Sequence, residues 1–238
     1  MELILAEKPS AARNFAKALG GKTGNYAGTE YKITNLRGHV MGLLPPDKQV
    51  PTEKVEFYKS WDLENLPWNL NDFAWKKGIL SGCKDIISGL KDELKGADCV
   101  VIATDVDPSG EGELLAWEAL EKCGWRGPTK RMYFADEAPA SVQKAFMERK
   151  TLPSMDKDGD YVKAVGRERW DLARMQSTRA ATLVARKRGF RTVVRQGRLK
   201  SVMVKLTGDQ LKAYNEYVRK PFYEARFKDE NGNIFARK

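Results

Sequence analysis

The chain has 238 residues, 42% hydrophobic and 31% charged, with a formal net charge of +10, which suits one or two soluble globular domains with a sizeable core. No apolar run approaches the roughly 20 residues that span a bilayer, and the start MELILAEKPS lacks the basic region of a signal peptide. Three cysteines without a CxxC spacing and a single histidine argue against a disulfide framework and a multi-histidine metal site, so a reducing, cytoplasmic setting without membrane is the expectation.

In chain order, Glu2 to Ala6 predicts a short buried strand. Pro9 suits a first helical turn, and the helix over Ala11 to Leu19 stops at Gly20-Gly21. Tyr31 to Leu36 reads as a second strand, and the Pro- and Trp-rich stretch 44–75 as a long ordered loop region. A helix is expected over Lys76 to Leu94, then a buried parallel strand over Cys99 to Ala103. A helix over Glu111 to Lys122, a strand over Arg131 to Phe134 and a helix over Pro139 to Arg149 follow. Strands alternating with helices predict an α/β fold with a mostly parallel, Rossmann-like sheet. The polar stretch Thr151 to Asp160 suggests a boundary, giving domains of 1–152 and 153–238. Beyond it, Gly166 to Arg188 and Leu199 to Val218 read as two basic helices, and Phe222 to Lys238 as a hairpin that starts a further β domain.

The charge is unevenly spread. Residues 151–238 hold 21 Lys/Arg against 10 Asp/Glu, whereas 1–150 hold 21 against 22. A near-neutral body joined to a basic segment favours a polyanion, and nucleic acid above all, over a merely solubilising surface.

The sharpest local feature is Asp105-Val-Asp107-Pro-Ser-Gly-Glu111-Gly-Glu113, placed between the apolar strand and a helix. Open α/β sheets put their sites at such carboxyl ends. A solvated acidic loop is the plain reading. A calcium loop fits at Asp105, Asp107, Ser109 and Gly110 but fails at its twelfth position, which is Ala116. A Mg²⁺ site draws support from Glu7, which ends the first strand in a matching place.

A Glu ending strand one followed by a DxD resembles the TOPRIM domain. LILAEKPSAAR is similar to the topoisomerase III branch of the type IA DNA topoisomerases. In order along the chain, Gly38-His39-Val40 with Pro45, Tyr58-Lys-Ser-Trp61 with Leu66-Pro67, Ala103-Thr-Asp-Val-Asp107, Glu111-Gly-Glu113 with Trp117, Trp170-Asp171-Leu172, Thr178-Arg179-Ala180 and Gly197-Arg198 resemble segments of that family. Pro108-Ser109-Gly110 stands where the family has one Arg, and Lys200 where it has a Gln.

The resemblance implies a Mg²⁺-dependent enzyme that breaks, passes and rejoins single-stranded DNA, acting as a monomer. Glu7, Lys8, Asp105, Asp107 and Glu111 would be its catalytic residues, with Glu7 serving the proton at the 3′ oxygen and Lys8 the scissile phosphate. Glu7, Asp105, Asp107 and Glu111 would hold the metal; Glu111 or Glu113 is the third acid, and Glu113 otherwise serves to begin the helix. Arg167, Thr178, Arg179, Gln196, Arg198, Lys200 and Trp61 would contact DNA. None of the eight tyrosines has the family's nucleophile context, so the chain reads as the N-terminal part of a longer enzyme. A stand-alone TOPRIM nuclease and a non-catalytic single-stranded DNA-binding module are the alternatives.

Overall fold

The computed structural model describes residues 1–236, in two compact units, Met1–Val194 and Arg195–Lys238. In the first unit the chain order opens with β1 (Glu2–Ala6), α1 (Pro9–Leu19), β2 (Thr23–Tyr26), β3 (Thr29–Asn35) and β4 (Met41–Leu43). It continues with α2 (Val55–Lys59), β5 (Lys77–Ile79), α3 (Lys84–Leu94), β6 (Cys99–Ala103), α4 (Glu111–Cys123), β7 (Thr129–Arg131), α5 (Pro139–Met147) and β8 (Lys150–Thr151). α6 (Gly159–Ala173) and α7 (Met175–Lys187) complete it.

Six strands form one sheet in the order β2-β3-β1-β6-β7-β8. β1 lies parallel to β3 and β6, β6 is parallel to β7, and only the outer strands β2 and β8 run antiparallel. This is the expected α/β class with a mostly parallel centre.

Both faces of β1 are apolar because both are covered. Leu3 and Leu5 join Ile102, Leu115 and Leu120 on the face of α3 and α4, while Ile4 and Ala6 join Phe15 and Phe146 on the face of α1 and α5. Pro9 opens α1 and Gly20, at a left-handed φ of 95°, closes it.

Several local expectations need correction. The segment expected as a helix over 76–94 begins instead as β5, which pairs with β4, and turns before α3 starts at Lys84. A Cβ on Gly78 would meet the tip of the Leu44 side chain, which would have to turn aside. The helix expected over 166–188 is two helices joined at Arg174. The strand expected over 131–134 sits at 129–131.

The stretch 44–75 is ordered around its own small core of Val50, Tyr58, Trp68 and Phe73, onto which Leu172 of α6 packs. The polar stretch 151–160 leads directly into α6, whose N-terminal Asp158 caps the helix through the N–H groups of Asp160 and Tyr161. Asp158 also accepts the Trp117 indole N–H at 2.8 Å, which ties α6 to α4.

The second unit contains α8 (Lys200–Asn215) and a hairpin of β9 (Arg226–Lys228) and β10 (Ile234–Ala236) turning at Gly232, as expected. The last two positions of the expected hairpin segment, 237 and 238, lie outside the described residues. No residue of α8 is buried.

Candidate active site

The parallel register sets the site. Ala6 of β1 stands beside Ala103 of β6, so the residues that follow, Glu7-Lys8 and Thr104-Asp105, leave the sheet side by side. Glu7 accepts a hydrogen bond from the Asp105 backbone N–H at 3.1 Å, and the Lys8 ammonium donates to the Asp105 carboxylate at 3.2 Å. Three residues 97 or 98 positions apart in sequence thus meet at the carboxyl edge of the two central strands.

Burial pushes the Glu7 carboxyl above the usual carboxylate range. The charges of Asp105 and Glu111 push the same way, against the Asp105 N–H and Lys8. Lys8 is held above its ordinary value by its hydrogen bond to Asp105.

Asp105 and Asp107 do not form a matched pair. The chain leaves the strand after Ala103, so the alternation that would place both on one face is lost. Asp107 folds back over the start of α4, accepting from the Ser109 N–H at 2.8 Å, the Ser109 hydroxyl, and the Gly112 N–H at 3.3 Å. Burial disfavours its charge, but these hydrogen bonds outweigh it and hold the carboxyl below its ordinary range. It caps the helix from three residues outside, where the dipole favours an anion.

Glu111 is held from two sides. His39 lies 2.8 Å from one carboxylate oxygen, and Arg167 of α6 contacts the other at 3.0 Å. Arg167 also donates to the Ser109 hydroxyl. Among the described residues no three acidic, His or Cys side chains converge as metal ligands. The donor set still suits a hard divalent cation: all are carboxylates at one sheet edge, and Lys8 and Arg167 sit on two of them as counter-charges.

Two residues that frame this edge escaped the sequence reading as site elements. Arg131, 0% exposed, donates to Glu113 at 2.6 Å and to the carbonyls of Thr104 at 2.7 Å and Asp105 at 3.1 Å. It therefore fixes both the end of β6 and the first turn of α4, and Glu113 is its counter-ion. His39, which the sequence shows only as part of the Gly38-His39-Val40 segment, touches Glu111 directly.

The expected DNA contacts separate by position. Arg179 is 7% exposed and donates to the carbonyls of Tyr58 and Ser60, so its guanidinium holds the 55–61 segment onto α7. It lies 4.8 Å from the Trp68 ring centre and 5.5 Å from that of Trp61. Trp61 is 40% exposed, with the exposed Arg186 5.5 Å from its ring centre. Thr178 lies on α7 beside Arg179, whereas Gln196, Arg198 and Lys200 belong to the second unit, Lys200 as the first residue of α8.

The model of the Toprim domain matches residues 2–136, more than half of the chain. The chain belongs to the Toprim family. This Toprim chain is 30% identical over 151 residues to DNA topoisomerase 3 of Staphylococcus epidermidis, a match that covers 62% of the chain and 20% of that protein. With DNA topoisomerase 3 of Shouchella clausii the identity is 28% over 98% of the chain and 30% of the relative. Full-length topoisomerase I from Thermotoga maritima shares its fold, with a TM-score of 0.59 and 22% identity over 95% of the chain and 33% of that structure. The likeness read from the motifs is thus found over nearly the whole sequence, and the chain spans a third or less of each of these relatives.

Proposed function

We propose that this chain is the Toprim part of a type IA DNA topoisomerase and that its acidic edge serves the breakage and rejoining of single-stranded DNA. The observation that carries this reading is the meeting of Glu7, Lys8 and Asp105 across two parallel strands.

Lys8 donates to the Asp105 carboxylate and is 44% exposed, so a phosphate oxygen can take it from Asp105. Its fixed charge offsets the negative charge that grows on the phosphorus centre. Glu7, with its raised carboxyl, holds a proton more readily than a free glutamate, which suits transfer to and from a 3′ oxygen. Glu7, Asp105 and Glu111 would hold Mg²⁺, with Asp107 shaping the loop. When bound, the ion screens phosphate charge and orients the oxygens to be rejoined. DNA backbone would lie along Arg167 and Arg186, with Trp61 offering a face for base stacking.

The test is binding of a labelled single-stranded oligonucleotide by fluorescence anisotropy at several salt concentrations, with a nicking assay alongside. Affinity is expected to fall with salt by a log–log slope of about −0.7 per phosphate contacted. Salt-independent binding overturns the reading. Mg²⁺-dependent nicking by this chain alone marks a nuclease instead.

A further inference from the structure

Glu111 stands at the acidic edge but is not free to join it. Its two carboxylate oxygens are held separately, one by His39 at 2.8 Å and the other by Arg167 at 3.0 Å. A carboxylate only accepts hydrogen bonds, so the His39 Nε2 carries the proton between them. Arg167 reaches further, to the Ser109 hydroxyl, which in turn donates to Asp107. One guanidinium from α6 therefore holds Glu111 directly and reaches Asp107 only through the Ser109 hydroxyl.

The grip is exchangeable. The side chains of Arg167, Glu111 and His39 are 36%, 39% and 47% exposed, and ion pairs so open to water are weak. A cleft of about 190 Å³ beside them, lined by Leu114, Ala164 and Asp171 among others, leaves room for the guanidinium to move. A phosphate presents the geometry that an arginine fork binds in two-pronged fashion, and it competes well with a half-exposed carboxylate. Released, Glu111 keeps its place in the first turn of α4, the turn that Asp107 caps and that Glu113 ties through Arg131 to the Thr104 and Asp105 carbonyls.

We propose that Arg167 and His39 are positioning residues that keep Glu111 out of the metal-binding set until a DNA phosphate takes the guanidinium, so that DNA and Mg²⁺ each strengthen the binding of the other. The proposal rests on the reading of this edge as a DNA- and Mg²⁺-binding site. It requires reciprocity: the factor by which DNA raises Mg²⁺ affinity equals the factor by which Mg²⁺ raises DNA affinity.

The experiment uses the whole chain. Mg²⁺ is titrated by calorimetry without DNA, and affinity for a single-stranded oligonucleotide is measured by anisotropy with and without Mg²⁺ at constant ionic strength. In the wild type, Mg²⁺ is expected to raise oligonucleotide affinity. Arg167→Gln and His39→Ala are each expected to raise Mg²⁺ affinity in the absence of DNA, by up to about fivefold, the range of one exposed ion pair. Arg167→Gln should also abolish the effect of Mg²⁺ on DNA binding, and Arg167→Lys should restore part of it. A merely structural role would lower Mg²⁺ affinity in these variants, and that result overturns the proposal. So does unchanged affinity in both. If wild type binds oligonucleotide and Mg²⁺ but the variants behave like it, this inference alone fails. If wild type binds neither, the functional reading fails with it.

Discussion

Arg131 and Glu113 form an ion pair sealed from water, 2.6 Å apart, that ties the end of β7 to the first turn of α4. Because Arg131 also donates to the Thr104 and Asp105 carbonyls, the pair fixes the backbone from which the acidic loop springs. Glu113→Ala leaves a buried guanidinium without its counter-ion, which costs about 3–5 kcal/mol. Urea denaturation is expected to show a loss of that order, whereas Glu2→Gln, at the opposite end of β1, should leave ligand binding at the acidic edge unchanged.

Gly112, in the first turn of α4, backs onto the chain that leaves β6. A Cβ there would overlap the Asp105 carbonyl oxygen and crowd the Thr104 hydroxyl, which donates to the Gly112 carbonyl at 2.8 Å. Neither neighbour is the tip of a flexible side chain. Gly112→Ala is expected to destabilise by about 1–3 kcal/mol, the range of an overpacked site, in thermal or urea unfolding. Wild-type stability would show that the backbone there yields.

Tyr58 donates to Asp72 at 2.7 Å inside the small aromatic core, and its phenol is pushed up to about 12, first by burial and then by that hydrogen bond. The folded value lies above the unfolded value near 10, so the stabilisation is full below pH 10 and is lost as pH rises through about 12. A phenolate absorbance titration of the wild type should include a step at about 12 beside those of the other raised tyrosines, Tyr31, Tyr133 and Tyr161. That step should be missing from Tyr58→Phe, which at neutral pH should be less stable by about 1 kcal/mol.

Trp61 presents a half-open ring flanked by Arg179 and Arg186. Trp61→Ala should weaken single-stranded oligonucleotide binding by about 1–3 kcal/mol, the range for stacking of one base. The salt slope should stay the same, since no phosphate contact is removed. Arg186→Gln should instead flatten the slope by about one phosphate's share. Anisotropy titrations at several salt concentrations distinguish the two.

The tyrosines give one more expectation. Tyr31 and Tyr58 are buried, with their hydroxyl groups bonded to Leu19 and Gly21 carbonyls and to Asp72. Labelled single-stranded DNA incubated with this chain and Mg²⁺, then denatured, should yield no protein-linked label. An adduct would place a nucleophile within these 238 residues.

The central strands and their helices were legible because each announces itself locally: apolar runs at Glu2–Ala6 and Cys99–Ala103, proline at the start of α1, glycine at its end. The acidic edge was legible as a group because parallel strands deliver consecutive chain ends to one place. Its internal arrangement was not. Whether Asp107 faces a ligand or caps a helix depends on where the loop turns after Ala103, which no spacing encodes. Arg131 looked like an ordinary charge near a strand because its burial depends on Glu113, eighteen residues earlier and on another element. Arg179 carried a motif's promise of DNA contact, yet the Trp-rich loop closes over it from more than a hundred residues away. β5 was missed because three residues containing Gly78 carry no periodicity, and only the partner strand β4 makes them a strand.

The outer strands of the main sheet bear on how the molecule behaves in concentrated solution. β2 is four residues long and β8 only two, and both reverse the direction of the sheet they border. A neighbouring molecule seeking to extend the sheet would find a brief, polar margin, Thr-Gly-Asn-Tyr on one side and Lys-Thr on the other. Such margins discourage edge-to-edge growth. The hairpin β9–β10 is as brief but not polar: Phe227, Ile234 and Phe235 are all exposed on a two-stranded ribbon. If copies of this chain associate at high concentration, the hairpin is where that association is expected to begin, while the polar margins of the α/β body resist it.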